Sequence, residues 1–342
     1  MLKKIIALVL CLFVSIASFA SEAPGVASET EFKFINNLSY HRSMFDAIPS
    51  VDYLKIPFGT APAQVGGQDQ DSLEEPSTYG VPWAFRMIDG GSVWVLDSLN
   101  HELKLFKADG SLEKSVSIAS YGQMVVDFAV SADGSFAFLD NVAGYINVVG
   151  ADGEVKQMIE GFNGARAIEF SKNGDLLVSH PVMQAVLRFG ADGELKEQLV
   201  GDQGLSLYAD ANERLFGLEI GELEADFYLR TVASPTETVV LHKLPYEAKQ
   251  PGVSWAGGEV LGLDAAGNVY LCLVACHEEG HIFRERLYRF SPEGKLLGEL
   301  DILTIPHLAP DLPRKRVVCP DGRVMGFYPT EDNFVLCTYT IP

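Results

Sequence analysis

Residues 92–117 set a pattern of hydrophobic and polar positions that later parts of the chain repeat. Three β-type runs, 93–96, 102–106 and 112–117, are separated by a polar link and by the pair Asp109-Gly110. Short runs of this kind broken by Asp-Gly, whose residues tolerate a left-handed backbone, predict an antiparallel meander with tight hairpin turns. One meander cannot bury both of its faces, so the pattern calls for copies of itself.

The copies are legible. The first unit adds residues 83–88 and the turn 89–91 to the stretch above. The second has 125–130, the turn 131–134, 136–140, 145–149 and Asp152-Gly153. The third has 165–170, the turn 171–174, 176–180, 185–189 and Asp192-Gly193. A degenerate fourth has 205–208, 215–219, 227–232 and 238–242. The fifth has 260–263, the turn 264–267, 269–273, 286–290 and 296–303. The sixth has 317–319, the turn 320–322, 324–328 and 334–341. Units of this length, each a four-stranded meander, predict an all-β, six-bladed β-propeller. The sixth unit has only three strands, and residues 52–57 are the expected fourth. The ring would then be closed by an N-terminal strand joining the last blade, removing an exposed sheet edge. The longest links, at 217–226, 274–284 and 304–315, are expected to be loops on a propeller face.

The N-terminus follows a different pattern. Lys3 and Lys4 precede an apolar run from residue 5 to 13, and Ser18-Phe19-Ala20 supplies small residues before a cleavage point. This predicts a secretory signal peptide over 1–20, too short to span a bilayer, then a lead-in over 21–50 and the propeller over 51–342. The expectation is a secreted or periplasmic protein, a monomer, with no membrane insertion.

Composition changes the picture in two ways. The chain has 342 residues and a formal charge of −20, and loss of Lys3 and Lys4 makes it more acidic still. Such a surface repels phosphate backbones and anionic lipid, so nucleic acid is excluded as an expected partner. Of the five cysteines, Cys272, Cys276, Cys319 and Cys337 lie beyond the leader, all in the last quarter of the chain. In an oxidising compartment they could staple the segment that closes the ring, with three pairings open.

The stretch Asp97-Ser-Leu-Asn100-His-Glu-Leu103-Lys-Leu-Phe106-Lys-Ala-Asp109-Gly110 resembles the NHL repeat, in which an Asp and an Asn precede an alternating strand and an Asp/Gly turn. Residues 145–153 and 288–294 are similar to its later half. The resemblance implies a six-bladed propeller, a class that holds lactonases, lyases, dehydrogenase-like subunits and binding scaffolds. It does not choose among those functions. The metal ligands of gluconolactonase-type propellers have no residue-by-residue match here.

Three constellations carry candidate chemistry. Equivalent positions at the ends of the second strands hold Asp97, Asp140, His180 and Glu219, a set suited to a divalent Ca, Mn or Zn ion. The competing reading is that each acid caps its own blade by accepting backbone N–H groups, as short polar side chains do at turns. The innermost strands offer Arg86, Asp127, Arg166 and Glu169, which could grip a zwitterionic or carboxylate ligand or form interblade ion pairs. Residues 272–281 contain His277-Glu-Glu-Gly-His281, the zincin pattern, and Cys272-x-x-x-Cys276-His277, one residue longer than a haem attachment motif. The first needs a helix that this link does not provide, and the second starts inside an expected strand. The favoured expectation is a binding or scaffold propeller for a protein or small-molecule ligand. The alternative is a metal-dependent hydrolase or lactonase.

Overall fold

A computed structural model describes residues 50–67, 81–171, 173–180, 183, 185–200, 208–209, 214–220, 224–231, 234–245, 253–277, 282–302, 316–330 and 332–342. The predicted signal peptide and nearly all of the lead-in lie outside these residues. The chain is all-β, with no α-helix among the described residues.

Strand β1 (Ser50–Pro57) comes first. The next sheet runs β2 (Ala84–Met87), β3 (Val93–Asp97), β4 (Glu102–Phe106) and β5 (Leu112–Ser117). It is followed by β6 (Val125–Val130), β7 (Phe136–Asp140), β8 (Tyr145–Val149) and β9 (Val155–Glu160). A third sheet holds β10 (Ala167–Phe170), β11 (Leu176–His180), β12 (Ala185–Phe189) and β13 (Leu195–Val200). The fourth holds β14 (Tyr208–Ala209), β15 (Arg214–Ile220), β16 (Glu224–Thr231) and β17 (Ser234–Pro245). The fifth holds β18 (Val253–Leu263), β19 (Val269–His277), β20 (Ile282–Phe290) and β21 (Leu296–Ile302). The chain ends with β22 (Arg316–Val318), β23 (Val324–Pro329) and β24 (Asn333–Tyr339). Each sheet is four-stranded and antiparallel, in chain order, and the last has the order β1-β24-β23-β22. These sheets are the blades of a propeller. The strand that opens each meander is innermost: β2 lies beside both β6 and β22, β6 beside β10, and β18 beside β14 and β22.

The hydrophobic pattern explains which strand goes where. Strands β3 and β7 are buried at every position because neighbouring blades cover both of their faces, so their sequences run continuously apolar. The outer strands β9 and β21 alternate between exposed and covered positions, as strands with one wet face do. Aromatic edges seal blade boundaries, with Phe85 against Phe327 at 5.9 Å and Trp94 against Phe136 at 5.4 Å between ring centres. The Asp-Gly turns are built as the sequence predicts. Gly110 and Gly153 have φ of 85° and 87°, and Asp109 and Asp152 each accept the backbone N–H two residues on.

Strand β1 pairs with β24 from Ser50↔Tyr339 to Pro57↔Asn333, so the two ends of the described chain share one blade. The Tyr53 hydroxyl also donates to the Gly91 carbonyl at 2.5 Å, tying that strand to the first meander.

Some expectations are corrected. Residues 217–226 and 274–284 are not long face loops, because strand pairing continues through much of them. Glu219 faces Asp226 across β15–β16, and Val274 faces Glu285 across β19–β20. Residues 303–315 lie outside the described residues. Likewise Cys276 and His277 belong to β19 rather than to a loop, and residues 278–281 are not described. Cys272, Cys319 and Cys337 are buried thiols with no disulfide joining any two of them, and the side chain of Cys276 lies outside the description. The closing blade is held by the β1–β24 ladder instead. Burial pushes the Cys319 thiol up to about 12 and the Cys337 thiol to about 11, keeping both protonated and unreactive at neutral pH.

Candidate functional site

The second-strand acids are engaged by their own surroundings. Asp97 ends β3 and is fully buried. One of its oxygens accepts the Gly66 N–H at 2.9 Å. The other accepts the Asn100 amide at 2.8 Å and the Lys104 ammonium at 2.8 Å. The Lys104 ammonium also donates to the Gln64 carbonyl at 2.6 Å, and Asn100 donates to the Gly59 carbonyl at 2.9 Å. Asp97, Asn100 and Lys104 therefore fasten the segment that follows β1 onto the first meander. This is the role that the Asp–Asn pair of the resemblance plays in this chain.

Asp140 ends β7 and is equally buried. Its two oxygens accept four backbone N–H groups, from Gln123, Met124, Val142 and Ala143, at 2.8–3.1 Å. His180 ends β11, where its Nδ1 accepts the Met183 N–H at 3.3 Å. Glu219 lies on β15, and its side chain is outside the description. The Asp97 and Asp140 oxygens are thus taken up by an ammonium and by N–H groups of the fold. Among the described residues, no group of three or more His, Cys, Asp or Glu side chains is placed to hold a metal. The caps explain the recurrence of acids at this position.

The inner strands are different. Arg86, on β2, reaches across two neighbouring blades. Its Nε donates to the Phe128 carbonyl at 2.7 Å, one terminal nitrogen donates to Glu169 at 2.5 Å, and the other donates to the Ile168 carbonyl at 2.7 Å. The Asp127 carboxylate, fully buried, stands 3.6 Å from that last nitrogen and accepts the Ile168 N–H at 2.8 Å. The Phe128 ring lies under the guanidinium, with its centre 5.4 Å away. Every nitrogen of Arg86 is thus used, and its side chain is 13% exposed. Three of the four inner-strand residues singled out by sequence form one clamp across the first three meanders.

The fourth, Arg166, stands apart. It precedes β10, and its side-chain partner among the described residues is Glu259 on β18, at 3.4 Å through one terminal nitrogen. That is the long limit for such a bond. The Arg166 side chain is 42% exposed and that of Glu259 is 23% exposed. The bridge joins the third sheet to the fifth. A third arginine, Arg316 at the start of β22, is buried against Glu285 of β20. Burial alone would lower its affinity for a proton. The facing Glu285 carboxylate, with Cys272, Tyr339 and Glu259, outweighs that and keeps it firmly charged.

Glu259, Glu285 and Arg316 were not singled out by sequence. The signal was one residue away: the fifth and sixth units were read as starting at Val260 and Val317, so the charge just before each run fell into presumed loop. Strand β18 in fact continues back to Val253. Its pairing with β19 slips between Trp255 and Gly257 and again between Val260 and Gly262. Irregularities of this kind re-aim the residues between them, and Glu259 is one of those. Gly258 is required beside it, because a Cβ there would lie 2.6 Å from a methyl carbon of Leu218 and of Leu273.

The sequence matches no family profile and no curated protein. Among solved structures, a member of the DUF4221 family from Bacteroides vulgatus aligns with a TM-score of 0.53 at 10% identity, covering 86% of this chain and 98% of that one. Virginiamycin B lyase from Staphylococcus aureus aligns at 0.47 with 14% identity, over 76% and 95% of the two chains. A gluconolactonase from Xanthomonas campestris aligns at 0.45 with 13% identity, over 73% and 83%. At such identities the likeness is one of fold, and the chain is a β-propeller.

Proposed function

We propose that this chain is an exported, six-bladed propeller that serves as a binding module for a protein or small-molecule ligand. In this reading the first three meanders, two long-hairpin blades and the closing blade make one ring, with the first blade a divergent NHL-type repeat. Residues 1–20 direct secretion to the periplasm or beyond. The observation that carries the binding role is the use of the polar side chains. Asp97, Asp140 and His180 are engaged by backbone and lysine donors of the fold, and Arg86, Asp127 and Glu169 are engaged with one another. A rigid ring presenting interblade loops suits recognition, and a charge of −20 disfavours anionic polymers as the partner.

The test is cross-linking in intact cells followed by mass spectrometry, with elemental analysis of the purified protein alongside. Cross-links gathered on one face of the ring, with no stoichiometric metal, are the expected result. One equivalent of a divalent metal together with ester or lactone hydrolysis would replace this reading with an enzymatic one.

A further inference from the structure

We infer that residues 58–67 form a releasable strap, a loop that docks on the first meander as a preformed unit and lifts off without disturbing either blade. The loop is held together by its own bonds. The Gly59 N–H donates to the Val65 carbonyl at 2.8 Å, the Val65 N–H to the Pro57 carbonyl at 3.0 Å, and the Gln64 N–H to the Ala61 carbonyl at 2.9 Å. The Gln64 side-chain oxygen accepts the Ala61 N–H at 3.0 Å. A short loop whose ends meet, and whose backbone is bonded internally, keeps its shape away from the surface it docks on. One end stays on the closing blade, where the Phe58 N–H donates to the Asp332 carbonyl at 2.9 Å.

The contact with the first meander is of a kind that parts cleanly. It uses main-chain groups of the strap: the Gly59 and Gln64 carbonyls accept from Asn100 and Lys104, and the Gly66 N–H donates to Asp97. Val65 is buried, while Ala61, Pro62 and Ala63 are exposed. The strap, Phe-Gly-Thr-Ala-Pro-Ala-Gln-Val-Gly-Gly, carries no charged side chain. Lys104 has two carboxylates within its own meander, Asp97 at 2.8 Å and Glu102 at 2.9 Å. Lifting the strap therefore leaves each of these charges paired. What is lost is a few hydrogen bonds that water replaces, together with the burial of a valine. The Arg86 clamp is the opposite case. Its partners belong to other blades, so separation would strand Asp127 as a bare buried carboxylate. Few buried apolar contacts and bonds that water can replace mark a segment that opens well below global unfolding.

The experiment is hydrogen–deuterium exchange of the full chain at neutral pH, read by mass spectrometry and expressed as protection relative to an unstructured chain. In wild type, the hydrogen-bonded amides of residues 59–66 should be protected at least tenfold less than those of β3 and β4, the strands that receive them. Gly66→Ala separates the strap without altering any charge, because a Cβ at Gly66 would overlap the Cβ of Leu99. That variant should lower the protection of the strap at least tenfold further and leave β3, β4 and β7 as they are. Equal protection of the strap and β3 in wild type overturns the proposal, since the strap would then open only with the blade. A Gly66→Ala chain in which strap and β3 lose protection together, in which the strap is unchanged, or which fails to fold overturns it as well.

Discussion

Arg86 and Arg166 lie two blades apart and at different registers, Arg86 opposite Trp94 within β2–β3 and Arg166 just before β10, and the fold treats them in opposite ways. Arg86 is covered, stacked on Phe128 and bonded through every nitrogen to the next two blades. Arg166 is 42% exposed and makes one long contact. Residue type is the same and so does not distinguish a buried fastener from a half-exposed ion pair; the register differs, since Glu169 and not Arg166 holds the place of Arg86 in its blade. The surroundings distinguish them. The next two blades bring two backbone carbonyls and two carboxylates within reach of Arg86, while Arg166 meets a single glutamate among the described residues.

The largest expected effect comes from breaking the clamp. Arg86→Ala leaves Asp127 buried without its cation, and an uncompensated buried charge of that kind costs about 3–5 kcal/mol. Urea unfolding should show this, and a loss under about 1 kcal/mol would mean that the clamp is ornamental. Next comes Gly258→Ala. The added methyl has no room between Leu218 and Leu273, and overpacking should cost about 1–3 kcal/mol.

A third arginine sharpens the comparison from within the same blade as Arg166. Asp175 is buried and holds both Arg188 and Lys196, at 2.6 and 2.7 Å. Burial raises the affinity of Asp175 for a proton, but the hydrogen bonds and charges of Lys196 and Arg188 outweigh it and hold the carboxyl below its usual range. A depressed folded-state value means that the stabilisation is complete above the unfolded value of about 4 and is lost as the pH falls through the folded one. The stability difference between wild type and Asp175→Asn should therefore be constant from pH 7 to pH 5 and shrink below about pH 4 in thermal melts. A difference that grows on acidification would reverse the assignment. The smallest effect is expected from Arg166→Ala, within about 1 kcal/mol of wild type, since a solvent-screened bridge stabilises little. A loss comparable to that of Arg86→Ala would erase the distinction between the two arginines.

Much of this was readable in the chain. The Asp-Gly turns announce themselves because positive φ and a side-chain acceptor two residues back are local requirements, met in the sequence itself. The continuous apolar runs of β3 and β7 mark strands covered on both faces, and the three-strand sixth unit implied that a strand from the other end would complete it. Blades four and five were harder. Gly257 and Gly258 look like loop residues, yet Gly258 is there so that β18 can lie against Leu218. Glu259 was lost with them. The acids at Asp97 and Asp140 could be aligned by spacing, but whether they meet a cation or backbone N–H groups depends on segments far away in sequence, such as residues 64–66 beneath Asp97. Tertiary approach settles that, and local pattern does not record it.

The most direct test of the contrast is exchange at the arginine side chains, by nitrogen-15 NMR of the Nε–H groups, with Arg86 and Arg166 assigned from their alanine variants. The account predicts a slowly exchanging, well-dispersed Arg86 Nε–H, locked on the Phe128 carbonyl, and a rapidly exchanging Arg166 Nε–H. Equal exchange at the two arginines would contradict it.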